Sequence, residues 1–272
     1  MKQPMIRMLS TLCLFALITS AQARLSPDQL ADRIEAAHAE QLSRIERVTF
    51  TSNIQGGIID GITSVTRYEK VIKDGRAILQ ALDDDSEEAV SLAGMHDGLL
   101  PKMVRGASKV ESGRYDGRPV YVVTVDDVDF LKSLEDFQMD DEFDEDFEPK
   151  KATFWLDRDN FAAHRLEFVQ AVADGGEMTI NVTMHDYRTL RGLPVAHRVK
   201  IDIRGVDQMI SAADLAEARA EMQQLEEQLQ HMPPEIRDQI KAQLGPQLAQ
   251  LEAMMDSGGT SMEVHVTDVS FD

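Results

Sequence analysis

Between residues 117 and 204, with an interruption at 127–150, the chain is a succession of strand-length blocks rich in β-branched and aromatic residues. The blocks read DGRPVYVVTVDD, KATFWLDRDNFAAHRLEFV and EMTINVTMHDYRTLRGLPVAHRVKIDI. Short turn clusters divide them: Asp116-Gly117, Asp157 to Asn160, Asp174 to Gly176 and Arg191-Gly192. Apolar residues fall on alternate positions in most blocks. Met178, Ile180, Val182 and Met184 share one face, and Thr179, Asn181, Thr183 and His185 the other. An antiparallel sheet with one apolar and one wet face is implied, and the apolar face must be covered by helices or by a ligand.

The N-terminus sets the compartment. Lys2 and Arg7 precede an apolar run from Met8 to Ile18, and Ala21-Gln22-Ala23 supplies a small-x-small cleavage site. This has the form of a cleavable secretory signal peptide over residues 1–23, too short for a membrane span, and implies an exported protein. Cys13 lies inside the apolar run after Leu12, so lipoprotein processing is not expected. Cleavage removes the single cysteine, leaving a mature chain held together by its core alone. Losing Lys2 and Arg7 also takes the formal charge from −20 to −22. That charge opposes binding to nucleic acid and to anionic membrane surfaces.

The mature chain, 24–272, reads as one domain with two insertions. A helix is expected over 27–44, with Ser26 as cap, Pro27 in its first turn and Gln29 completing a capping box. Strands are expected at 47–55, 61–72 and 76–82, a short helix near 87–95, and further strands at 107–113, 119–126 and 260–271. The acidic insert at 127–150 is the first insertion. Residues 126–148 hold twelve acidic side chains and one lysine, Lys132, with Phe130, Leu131, Leu134, Phe137, Phe143 and Phe147 between them. A solvated loop, a lid or partner-binding segment, and a calcium site are all open readings. The acidic spacing lacks the EF-hand pattern. The second insertion, 211–256, reads as a helical hairpin broken at Pro233-Pro234, with Leu215, Ala218, Met222, Leu225 and Leu229 on one seam.

No catalytic constellation is present: no phosphate-cradling glycine loop, no GxSxG and no HExxH. The chain is not expected to be an enzyme or to carry a cofactor or metal. His164, His185, His197 and His265 fall singly on expected strands, and His197 shares a face with Val195, Val199 and Ile201.

The order of elements resembles the periplasmic outer-membrane lipoprotein-sorting superfamily of LolA-, LolB- and RseB-like proteins. The matching positions are Phe154, Trp155, Leu156 and Asp157 on one strand, then Asp186, Tyr187, Arg188, Gly192 and Pro194 in the following hairpin. The resemblance spans about residues 26–208 and 260–271. It implies a mainly β, α+β fold: an unclosed antiparallel β-barrel lidded by helices, with the helical hairpin inserted. It also implies a carrier or chaperone for an acyl lipid or lipoprotein, and an arginine that fastens the lid, for which Arg67 and Arg76 lie on the nearby strands. The expected cavity lining is Phe50, Ile54, Tyr68, Leu79, Val122, Phe154, Leu156, Leu166, Phe168, Ile180, Val182, Val199 and Ile201. Each of these equally suits a dry core under the helices. The competing function is a regulatory or interaction protein on the same scaffold, holding a membrane-associated protein partner through either insertion.

Overall fold

The computed structural model describes residues 25–56, 61–82, 98–134, 147–172, 176–205 and 258–272. The expected leader, the helix near 87–95, the middle of the acidic insert and the hairpin at 211–256 lie outside the described residues.

Helix α1 spans Pro27–Leu42 and starts where its cap predicts. The Gln29 backbone N–H donates to Ser26 Oγ at 3.2 Å, and Ser26 N–H donates back to Gln29 Oε1 at 3.1 Å. Two otherwise orphaned donors are thereby satisfied. Strands β1 (Arg47–Gly56), β2 (Thr63–Lys73) and β3 (Arg76–Ala81) follow, then helix α2 (Leu99–Arg105). Strands β4 (Lys109–Tyr115) and β5 (Arg118–Val125) lead into helix α3 (Val128–Lys132). The chain continues through β6 (Phe147–Asp157), β7 (Ala163–Val172), β8 (Glu177–Leu190), β9 (Leu193–Arg204) and β10 (Gly259–Phe271).

All ten strands belong to one antiparallel sheet in the order β3-β2-β1-β10-β9-β8-β7-β6-β5-β4. The two end strands do not pair with each other, so the sheet is unclosed. Three of its hairpins turn on two residues of positive φ: Asp74-Gly75, Asp116-Gly117 and Arg191-Gly192. This is the turn whose twist matches that of paired strands, and Asp-Gly is among its preferred sequences. The last strand enters between β1 and β9, joining the two ends of the chain. Gly205 N–H donates to Gly258 O at 2.8 Å, which joins the end of β9 to the start of β10.

Two parts of the chain differ from expectation. Helix α2 lies at 99–105, where no helix is signalled by a capping residue; Gly98 precedes it at φ 93. Pro101 sits in its first turn, where a missing N–H costs nothing. The start of the acidic insert is also not a solvated loop. Asp127 caps α3 by accepting from Phe130 N–H at 3.0 Å, while Leu131 and Leu134 are buried in the core. An i,i+3 apolar pair thus points inward, and the charges stay at the cap and surface. At the far end, residues 147–150 are already part of β6.

The covered concave face as a candidate functional site

The inner face of the sheet is built from cross-strand rows. Val123, Phe154, Leu166, Val182, Ile201 and Met262 stand opposite one another across six strands. Beside them run Ala152, Phe168, Ile180 and Ile203, and on the other side Met184, Val199, Val264 and Ile54. Because side chains alternate along every strand, this register gathers the apolar half of each on one surface.

Seven of the expected lining residues, Ile54, Phe154, Leu156, Leu166, Val182, Val199 and Ile201, fall in one buried cluster, with Phe168 and Ile180 half-buried against it. Phe50, Tyr68 and Leu79 belong to a second cluster nearer β3. Val122 is misplaced by the sequence reading. It stands opposite Trp155 on the outer face, whereas its neighbours Tyr121 and Val123 point into the core. Residues 120–123 are all apolar or aromatic, so alternation gives that strand no side.

The first cluster is roofed by protein. Leu30, Ala31 and Ile34 of α1, Leu100, Met103 and Val104 of α2, Leu131 of α3 and Leu134 just after it pack onto the strand rows. Phe130 lies on Gly106 so closely that a Cβ there would come within 2.2 Å of its ring. The face is therefore a trough filled by three helices.

Polar contacts fasten α1 at its margins. Arg105 of α2 donates to Asp32 Oδ1 at 3.0 Å and to Glu35 Oε1 at 2.8 Å. Arg76 of β3 places its Nε 3.2 Å from the same Glu35 oxygen. At the other end Gln41 Nε2 donates to Asn160 O at 3.2 Å, in the turn between β6 and β7. Of the two arginines suggested by resemblance, Arg76 faces α1. Arg105 had no sequence signal, because its partners are some seventy residues away. A cleft of about 400 Å³ opens along this margin, between Asp32, Glu35 and His38 of α1, Arg76 and Ile78 of β3, and Pro101 of α2. Burial pushes the His38 imidazole down to about 4, so it is neutral at pH 7.

Of the residues that carry the family resemblance, Phe154 and Leu156 belong to the roofed cluster, whereas Trp155 lies on the opposite, convex face. A bulge between Trp155 and Leu156 sets His164 and Arg165 on that face, with the Arg165 guanidinium 4.7 Å from the centre of the Trp155 ring. His164 Nε2 is 3.2 Å from Asp157 Oδ2, its ring stacks on Tyr115 and meets Tyr187 edge-on. The Tyr187 hydroxyl donates to Ala163 O. Burial alone would raise the Asp157 carboxyl. The backbone N–H groups of Asp159 and Asn160, together with His164, outweigh it and hold the group below its ordinary value. Burial, then the nearby Asp157 charge, raises the Tyr187 hydroxyl. This network clamps the β6–β7 bulge to β8. Among the described residues no group of three or more His, Cys, Asp or Glu is placed to hold a metal ion.

No family model and no curated protein sequence matches the chain. Among solved structures it is similar to a domain from Vibrio parahaemolyticus named for outer-membrane lipoprotein sorting, at 10% identity and TM-score 0.40, covering 89% of this chain and 93% of that one. A DUF1329 family protein from Desulfovibrio piger is similar at 8% identity and TM-score 0.41, with 91% and 94% covered. A LolA superfamily protein from Nitrosomonas europaea is similar at 10% identity and TM-score 0.34, with 89% and 93% covered. The fold description rests on the chain's own strand order and register.

Proposed function

We propose that this chain is an exported, periplasmic carrier of acyl chains, not an enzyme, and that lipid or the lipid moiety of a lipoprotein occupies the trough when the helices move aside. The observation that carries the proposal is how the trough is roofed. The sheet offers apolar rows continuous across six strands, but their cover comes from three separate helices whose margins are held by ion pairs. Partly exposed ion pairs of this kind contribute about 1 kcal/mol or less each. Burying an acyl chain contributes about 0.8 kcal/mol per methylene, on the order of 10 kcal/mol for a long chain before ordering costs. A cargo that substitutes for helix side chains on the same rows therefore has enough driving force to displace the cover.

Delipidated protein titrated with a fluorescent acyl probe should bind it saturably. Ile180→Trp, which adds bulk at the half-buried end of the rows, should block uptake with only modest loss of stability. In a permanently packed core the same change costs about 1–3 kcal/mol and alters no binding. Absence of saturable binding to the wild type would overturn the proposal. Mass analysis of the periplasmic fraction should find a species beginning at Arg24; one still carrying Met1, or found in the cytoplasm, would contradict export.

A further inference from the structure

The histidine whose strand face already set it apart, His197, has a hydrogen-bonding state that the packed trough leaves incomplete. It lies on β9 between Val195, which belongs to the cluster nearer β3, and Val199, which belongs to the roofed cluster. Its Nδ1 is 3.1 Å from the carbonyl oxygen of Val266. A carbonyl oxygen only accepts, so Nδ1 carries the ring proton, and in the neutral ring Nε2 is left with a lone pair. That nitrogen is buried and has no hydrogen-bond partner among the described residues. The charged neighbours along the strand are engaged elsewhere: Arg198 with Asp186 at 3.3 Å and Lys200 with Asp202 at 2.8 Å, both on the convex face. A buried acceptor without a donor disfavours the closed, empty state.

We infer that His197 is the specificity-determining group of the trough, its Nε2 accepting a hydrogen bond from a hydroxyl at the head of an acyl lipid. The inference rests on the acyl-carrier proposal and narrows its cargo to neutral lipids that carry a donor. An ester of the same chain length offers the same methylenes and no donor. An ionised carboxylate offers none either, and it repels the lone pair. In the loaded state the acceptor is satisfied, so the hydroxyl-bearing lipid gains affinity that an ester of the same chain length cannot. One net hydrogen bond corresponds to about a tenfold preference.

The test displaces a fluorescent acyl probe from delipidated full chain with 1-monolauroylglycerol and with methyl laurate. The expected result is a preference for the monoacylglycerol in wild type that falls about tenfold in His197→Phe, which keeps the apolar bulk, and survives in His197→Gln, which returns an acceptor. Equal preference in wild type and His197→Phe, with both proteins binding, overturns the inference and leaves the carrier proposal standing. Failure of both lipids to bind wild type overturns both. Should His197→Phe not fold, ¹⁵N spectra of histidine-labelled wild type decide. The ring must carry its proton on Nδ1, and the Nε2 resonance must shift on adding monolauroylglycerol and not on adding methyl laurate. A proton on Nε2, or an Nε2 resonance unmoved by either lipid, overturns the inference.

Discussion

The two apolar clusters share one sheet but are covered in different ways. The cluster nearer β3 is closed by Leu42 at the end of α1, by Ile45 just after it, and by Phe50 and Tyr68 meeting edge-on at 5.8 Å between adjacent strands. Most of its cover comes from neighbouring chain. The larger cluster depends on three helices that arrive from different parts of the sequence and touch the sheet through a few side chains each. Locally sealed core stays closed unless the domain unfolds. A roof assembled from distant pieces can be lifted piece by piece, because each piece holds only a fraction of the total contact.

That contrast can be broken experimentally. The largest effect should come from Phe50→Ala in the sealed cluster, which is 2% exposed. A loss of about 3–5 kcal/mol is expected in denaturant melts, with acyl-probe affinity unchanged in the fraction that stays folded. If affinity moves in step with stability, the two clusters are one unit.

Acid should loosen the element both clusters share. His38 of α1 titrates near its unfolded value of 6.5 once the chain unfolds and at about 4 when buried. Its contribution is therefore complete above pH 6.5 and is lost as pH falls towards 4, amounting to about 3 kcal/mol over that window. The slope of stability against pH should flatten over that range in His38→Leu; an unchanged slope would assign the acid sensitivity to other groups.

Gly106→Ala strikes the roof alone. Its Cβ would overlap the Phe130 ring, so α3 must shift, at a cost of about 1–3 kcal/mol. Faster probe entry should accompany the loss; slower entry, or none, would mean that α3 does not cover the cargo path. The smallest change is expected from Arg105→Ala, which releases α1 from α2. Stability should fall by about 1 kcal/mol or less, since the Arg105 side chain is 29% exposed, while probe association accelerates. A stability loss without a kinetic effect would make the pair ordinary surface fastening.

Much of the scaffold was legible because single residues dictate local geometry. Asp74-Gly75, Asp116-Gly117 and Arg191-Gly192 announce hairpins, since their backbone must adopt positive φ, and Ser26 with Gln29 marks the start of α1. The alternation in β8 assigns Ile180 and Val182 to the inner face, where they stand. Val122 was illegible because four consecutive apolar or aromatic residues carry no period. Helix α2 was hidden by its brevity and by Pro101 within it. In the acidic insert, Leu131 and Leu134 were visible among the charges, but so short an apolar pattern left loop and lid both open, and only the structure shows the two buried. The pairing of Arg105 with Asp32 and Glu35 exists only after the helices are in place. His197 was legible as inward-facing, but the bond from Nδ1 to Val266 that leaves Nε2 unfilled depends on β10 arriving from the far end of the chain.

Because β3 and β4 end the sheet without joining, its girth is not a quantised property. A closed barrel has a diameter set by strand number and stagger, and changing it means breaking a whole ladder of hydrogen bonds. This sheet can change its curl by small increments of twist between neighbouring strands, with every ladder intact. On the acyl-carrier proposal the trough is then elastic in one dimension: along the strands its length is fixed by residue count, and around them its width can follow what it holds. Cargoes differing in thickness should thus be accommodated more evenly than cargoes differing in length.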